Sequence, residues 1–316
     1  AVEGRLLIHR GFTGHACRPH EKSGLNKLNI KMENILMTIA QQFSKKPNII
    51  AFGSQNGGAG KTTTSFNFAV MQSLRGRKCI VIDLDKQHSV AELVDARDKE
   101  RAAEIAELEA KIDATLHKGL VKKYENRIQA ILDMPQIEVK SFELDEDIPM
   151  FLRGFQHYDD IIIDLPNGEL DNGYARIARL ADVFVFMFKD SRINYNTKHH
   201  CQALIQGLQK VAARDGFTLD TVFKTHVLIN KMPSQKAIDN KRVDITRKLG
   251  SEYLEFAPLL KEQVSERQPV RNASDRGLSV CELDNQFSRV ATNEFFNLLQ
   301  EIEALAETKK SQTITQ

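Results

Sequence analysis

Residues 53–64 read GSQNGGAGKTTT and follow directly on the apolar run NIIAF. No other stretch constrains the chain so strongly. A loop that wraps a phosphate chain must bring backbone N–H groups up to the oxygens, and side chains would block that approach. Gly57, Gly58 and Gly60 satisfy the requirement. Lys61 can reach the outer phosphates, Thr62 can place a hydroxyl on a magnesium ion, and a helix starting there aims its N-terminal dipole at the anion. The common pattern is GxxxxGK[ST]. Gln55 takes its first glycine position, so the strict pattern fails, but the GGxGKT core sits between a strand-like and a helix-like segment.

The rest of the sequence supplies the scaffold such a loop needs. NIIAFG (48–53), CIVIDLD (79–85), IEVKSFEL (137–144), DDIIIDLP (159–166), DVFVFMF (182–188) and TVFKTHVLIN (221–230) read as strands. Several are nearly continuous apolar runs, as buried parallel strands are. Helical patterns lie between them: TTSFNFAVMQSLRG ending at Gly76, residues 195–214, a basic helix near 236–249 and a last helix over about 289–307. The alternation predicts an α/β fold, a doubly wound and mostly parallel sheet flanked by helices, of the P-loop NTPase type. Residues 92–111 are more than half charged, and Ile105, Leu108, Ile112 and Leu116 recur at helical spacing. They read as a long helix with a narrow apolar stripe and a solvated face.

Acidic residues end two of the strands. Asp83 and Asp85 close CIVIDLD, and Asp164 closes IIID. A carboxylate at the carboxyl end of a parallel strand faces the ligand crevice, where it can support a metal or orient an attacking water.

Composition excludes several classes. The chain has 316 residues, 41% hydrophobic and 27% charged, with a net charge of +2. Any basic surface for nucleic acid must therefore be local. The four cysteines are far apart and form no CxxC pair, which argues against zinc ribbons, iron–sulfur sites and disulfide frameworks. No run of about 18 apolar residues offers a membrane span. Residues 1–47 show no clean period and no secretory apolar core. They read as a disordered N-terminal extension, with Met32 or Met37 as a natural start.

QNGGAGKTTTSFNFA followed by RGRKCIVIDLDKQHS resembles the ParA/MinD group of P-loop ATPases, in which QKGGxGKTTT leads through a helix to a strand ending DxDPQ. DDIIIDLP resembles their Walker B strand, and RNASDRGLSVCEL (271–283) their segment before the final helix. The resemblance spans about residues 48–306, within one ATPase domain at 48–308, with a charged insertion at about 97–136 and a flexible tail at 309–316.

It implies that Gln55, Asn56, Gly57, Gly58, Ala59, Gly60, Lys61, Thr62 and Thr63 hold ATP, and that Asn230 reads adenine. Lys61, Asp85 and Asp164 would be catalytic, with Asp85 orienting the water. Thr62, Asp164 and Asp83 would hold Mg²⁺. It implies too an ATP-dependent homodimer on nonspecific DNA, a small adaptor that stimulates slow hydrolysis, and a place in plasmid or chromosome partition in the bacterial cytoplasm, on the nucleoid.

Two departures stand out. Asn56 occupies the signature lysine position and cannot supply its charge, and Lys86 replaces the proline of DPQ. Lys189, expected in a loop after the strand FVFMF, is a candidate substitute. Lys241, Arg242, Arg247 and Lys248 on one basic helix, with Arg267, Arg271 and Arg276 beyond, are candidates for DNA phosphates. The last helix carries Glu301, Glu303 and Glu307, which anionic lipid would repel, so a membrane is not expected as partner. The alternatives are a ParA-like ATPase that positions other cargo or assists conjugation, and a metabolic P-loop enzyme.

Overall fold

The fold is seen in a computed structural model, which describes residues 46–54, 57–144, 147–167, 172–189, 225–232, 260–283 and 286–314, with the isolated positions 206 and 210. The expected helices at 195–214 and 236–249, the N-terminal extension, Gln55 and Asn56 lie outside the described residues, apart from those two isolated positions.

Among the described residues, seven strands form one sheet: β1 (Asn48–Ser54), β2 (Cys79–Asp83), β3 (Glu138–Ser141), β4 (Asp160–Asn167), β5 (Val183–Lys189), β6 (Thr225–Met232) and β7 (Val264–Ser265). Their order is β3-β2-β4-β1-β5-β6-β7, and every neighbouring pair is parallel. The helices are α1 (Lys61–Leu74), α2 (Ser89–Asp113), α3 (Lys118–Leu132), α4 (Ile148–Gly154), α5 (Asn172–Leu180), α6 (Gln268–Asp275) and α7 (Ser288–Ile314).

The continuous apolar strands divide their side chains between two cores because successive residues face opposite sides. Ile50, Phe52, Val81, Ile162, Val183 and Val185 join one core with residues of α1 and α7. Ile49, Ala51, Ile80, Ile82, Ile161, Ile163, Phe184 and Phe186 join the other with residues of α4 and α5. Helices thus cover both faces, and the doubly wound parallel sheet expected from the sequence is found.

At the amino end of the strands, polar groups lock the sheet. Asp160 accepts from Arg77 Nε at 2.5 Å and Nη2 at 2.6 Å, and from Asn48 Nδ2 at 2.9 Å. The Asp182 carboxylate accepts from the Ile49 N–H at 2.9 Å. The chemistry-bearing residues lie at the other end.

Several boundaries differ from the sequence reading. Strand β2 ends at Asp83, and the Leu84 N–H makes a last ladder bond to the Asp164 carbonyl at 2.9 Å. Asp85 therefore stands beyond the strand. Lys189 is the last residue of β5, in register with Asn230, and not in a loop. Strand β6 continues to Met232, past the expected end. Leu116 lies beyond α2 and is fully exposed, so the apolar stripe ends earlier than its spacing suggested; only Leu108 of that set is buried. Helix α7 runs to Ile314 where a flexible tail was expected, and its last turns hold neither glycine nor proline to stop it.

The charged segment is a pair of packed helices, α2 and α3, anchored in the core by a cation. Arg97 is fully buried. Its Nε lies 3.1 Å from both oxygens of Glu282, its Nη2 2.9 Å from Oε1, and its Nη1 donates to the Pro135 carbonyl at 2.9 Å. Gly277 lets the two elements meet. Its φ is +65°, and a Cβ there would stand 2.5 Å from the Arg97 nitrogen. Gly76 also has a positive φ, +80°, but open space around it. Gly277→Ala should therefore cost roughly 2 kcal/mol or more, and Gly76→Ala roughly 1 kcal/mol. Urea unfolding of both variants checks this; an equal loss would contradict the close packing at Gly277.

Candidate functional site

The site is assembled where β1, β2 and β4 end side by side. Ser54 of β1 pairs with Asn167 of β4, and Asp83 of β2 pairs with Asp164 of β4. Strand β1 leads into the glycine loop, and α1 returns from it with its N-terminus over these strand ends.

Backbone conformation explains two of the glycines. Gly58 has φ +73° and Gly60 φ +88°, left-handed values that side chains resist. Gly60 is also the N-cap of α1, with no side-chain cap bond and no acidic residue in the first turn. The N–H groups of that turn are thus not competed for by a side chain of the helix itself. That is the arrangement a helix end needs to receive an anion.

Lys61 and Thr62 lead α1 and touch the strand ends. Lys61 is 5% exposed. Its Nζ donates to Ser54 Oγ at 3.2 Å and to Asn167 Oδ1. Burial pushes its ammonium below the ordinary lysine value, opposed by the charges of Asp164 and Asp85. The Thr62 hydroxyl donates to Asp164 Oδ2 at 2.8 Å, and the Ser65 hydroxyl lies 3.2 Å from Oδ1. Ser65 also reaches the carbonyls of Lys61 and Thr62, so it buttresses the turn.

Asp164 is fully buried. Burial pushes its carboxyl up to about 7, with the Asp83 charge adding to the effect and Thr62, Lys61 and Ser65 opposing it. A hard divalent cation suits this pair of oxygens. Magnesium is held by one or two protein oxygens together with phosphate oxygens and water, and Thr62 Oγ1 with Asp164 Oδ2 offers that partial set.

Asp83, expected beside the metal, has another occupation. Its Oδ1 accepts from the Asp85 N–H at 3.1 Å, and its Oδ2 from the N–H of Val90 at 3.0 Å and of Ala91 at 3.4 Å. Asp83 thus caps the start of α2 and is fully buried there. Asp85 is half-buried and accepts from the Gln87 N–H at 3.0 Å. It stands near enough to Lys61 to act on its charge.

The structure brings together Gly57, Gly58, Gly60, Lys61, Thr62, Asp83, Asp85 and Asp164. Asn230 ends up on β6, two strands from β1. Among the DNA candidates, Arg267 is bound to Glu294 by Nε at 3.1 Å and Nη2 at 2.8 Å, which ties it to α7. Arg271 is more exposed and pairs with Glu266 at 2.5 Å, and Arg276 pairs with Glu100 at 2.5 Å. Lys241, Arg242, Arg247 and Lys248 lie outside the described residues.

Sequence reasoning missed Ser54, Ser65 and Asn167. Asn167 carried a signal: it stands three positions after Asp164 on the same strand, at the edge of the same crevice. Asn67 was missed as well. It joins α1 to the C-terminal segment, accepting from Ser279 Oγ at 2.8 Å and the Val280 N–H at 2.9 Å.

Comparison with known proteins agrees with this geometry. Residues 47–170 match the AAA domain family. No curated protein sequence matches the chain. Among solved structures, a Cyanothece McdA variant in complex with ATP is similar at TM-score 0.53 and 15% identity, covering 82% of this chain and 98% of that one. A Borrelia burgdorferi protein described as a plasmid partition protein, bound to AMPPNP, is similar at TM-score 0.50 and 15% identity, covering 81% of this chain and 99% of that one.

The Asp164 carboxyl sets a pH dependence. In the unfolded chain it loses its proton near the ordinary value of about 4; in the fold it does so near 7. Between those values the folded state binds more protons, so stability falls as pH rises through that window. Without nucleotide, Asp164→Asn should therefore lose less stability between about pH 5 and pH 8 than the wild type. Urea midpoints at the two pH values check this, and parallel losses would contradict it.

Residues 47–170 thus match the AAA domain family, and the chain shares its fold with the McdA and plasmid partition structures.

Proposed function

We propose that the chain is a ParA-like ATPase that binds and hydrolyses Mg-ATP to drive an ATP-dependent dimer and a cycle of nonspecific DNA binding in plasmid or chromosome partition. One observation carries the reading: Lys61 and Thr62 are held against the ends of β1 and β4 by Ser54, Asn167 and Asp164, at the mouth of a glycine turn with left-handed Gly58 and Gly60.

In this reading, residues 48–308 act as one ATPase domain with α2 and α3 as its charged insertion. Lys61 leaves Ser54 and Asn167 for the outer phosphates. Magnesium, when bound with the nucleotide, neutralises charge that develops on the transferred phosphoryl group. Thr62 and Asp164 would be its protein ligands. Asp85 orients the attacking water, and Asp83 steadies the Asp85 loop from behind. Asn230 contacts the base. Hydrolysis is slow until a small adaptor protein stimulates it, and the dimer works in the bacterial cytoplasm on the nucleoid. Contact with DNA falls to Arg271 and to the basic positions 241, 242, 247 and 248. Arg267 contributes less, because Glu294 already holds it.

Asn56 favours a second reading. A chain without the signature lysine can keep the nucleotide cycle but use it on different cargo, as an ATPase that positions other assemblies or assists conjugative transfer.

The test is binding to nonspecific duplex DNA with ATP and with ADP across a salt series. Binding with ATP alone, weakening steeply with salt, is expected. It should fall at least tenfold in Lys61→Ala, and also when Arg242 and Arg247 are both reversed to Glu. Equal binding with ADP, or none in either state, would overturn the cycle. Unchanged binding in the double reversal would overturn the patch.

A further inference from the structure

The strongest unexplained feature lies away from the glycine loop. A cleft of about 460 Å³ opens between α2, α3 and the segment that follows α6. Small-molecule sites span about 300–1,000 Å³. Its walls are charged, and Leu108, Ile131 and Leu278 give it an apolar floor.

Most of the wall charges are answered locally. Arg276 pairs with Glu100, Arg127 with Glu104 and Lys111 with Glu107, each within 2.7 Å. Arg101 is the exception. Its side chain is 9% exposed, and it shares the Glu282 carboxylate with Arg97. Arg97 has the better geometry on both oxygens, and the Ser279 N–H takes Oε2 as well, at 2.9 Å. Arg101 keeps one 3.2 Å contact to Glu282 and a long 3.5 Å contact to the Pro135 carbonyl. Its Nε is buried with no hydrogen-bond partner among the described residues. Two guanidinium groups thus meet one carboxylate, in a place where an unmade bond to a charged donor is costly. Burial and the neighbouring Arg97 both push Arg101 below the ordinary arginine value, the direction expected of surplus positive charge.

We propose that this cleft binds a small organic monocarboxylate, whose charge answers the surplus positive charge of Arg101 and whose apolar body covers Leu108 and Leu278. The charge of the ligand is limited. The other wall charges pair off one to one, Arg276 with Glu100, Arg127 with Glu104 and Lys111 with Glu107, which leaves the single surplus charge of Arg101 to answer an anion. The proposal is independent of the nucleotide reading, since none of these residues belongs to the glycine loop or the strand ends.

Benzoate, a carboxylate on a flat apolar body, is the probe, and benzamide is its neutral counterpart. Isothermal titration of the full chain should give saturable one-to-one binding of benzoate, at least tenfold tighter than benzamide. Arg101→Gln should abolish it. Met134→Trp fills the cleft and removes no charge, so it decides the matter if Arg101→Gln fails to fold; it should abolish binding too, with circular dichroism unchanged. No saturable benzoate binding, equal affinity for benzamide, or undiminished binding in Met134→Trp would each overturn the proposal.

Discussion

A buried carboxylate, Asp164, joins the sheet to the helix that follows the glycine loop. It receives the hydroxyls of Thr62 and Ser65 from the first turns of α1. Its own backbone carbonyl takes the Leu84 N–H, the last ladder bond between β2 and β4. One residue thus ties the first turns of α1 to the ends of β2 and β4. Such a group is expensive to bury, and burial is the main cause of its raised pKa. A fold optimised for stability alone would have no use for it. Strained and desolvated groups of this kind gather where a ligand is to be received.

The charged hairpin is tied to the same centre twice. Asp83 caps the start of α2 directly beside Asp164. Farther along α2, Arg97 reaches Glu282, whose segment is bonded through Ser279 and Val280 to Asn67 of α1. The first helix of the hairpin shares hydrogen-bonded neighbours with α1, and Gly277 is required so that the two segments can meet.

Much of this was legible in the sequence. The strand runs are so uniformly apolar that only a sheet covered on both faces can bury them, and the order of strand and helix forces parallel pairing. Gly58, Gly60, Lys61, Thr62 and Asp164 could be placed because each role demands one residue type at one spacing. What could not be read were partners set by distant pairing. Asn167 and Ser54 meet Lys61 only because β1 and β4 lie side by side, and Asp83 caps α2 only because the strand ends two residues before Asp85. The Arg97–Glu282 pair joins residues far apart in the chain and leaves no local pattern. Leu116 showed the opposite error, a periodic position that falls past the end of its helix.

The central claim is that Thr62 and Asp164 hold a metal together with a nucleotide bound on the glycine turn. The direct measurement is calorimetric titration of ATP into the full chain, with and without magnesium, for the wild type and Thr62→Ala. The account predicts one ATP per chain, bound at least tenfold tighter with magnesium, and predicts that Thr62→Ala loses that magnesium gain. ATP binding indifferent to magnesium, or a full gain retained in Thr62→Ala, would contradict it.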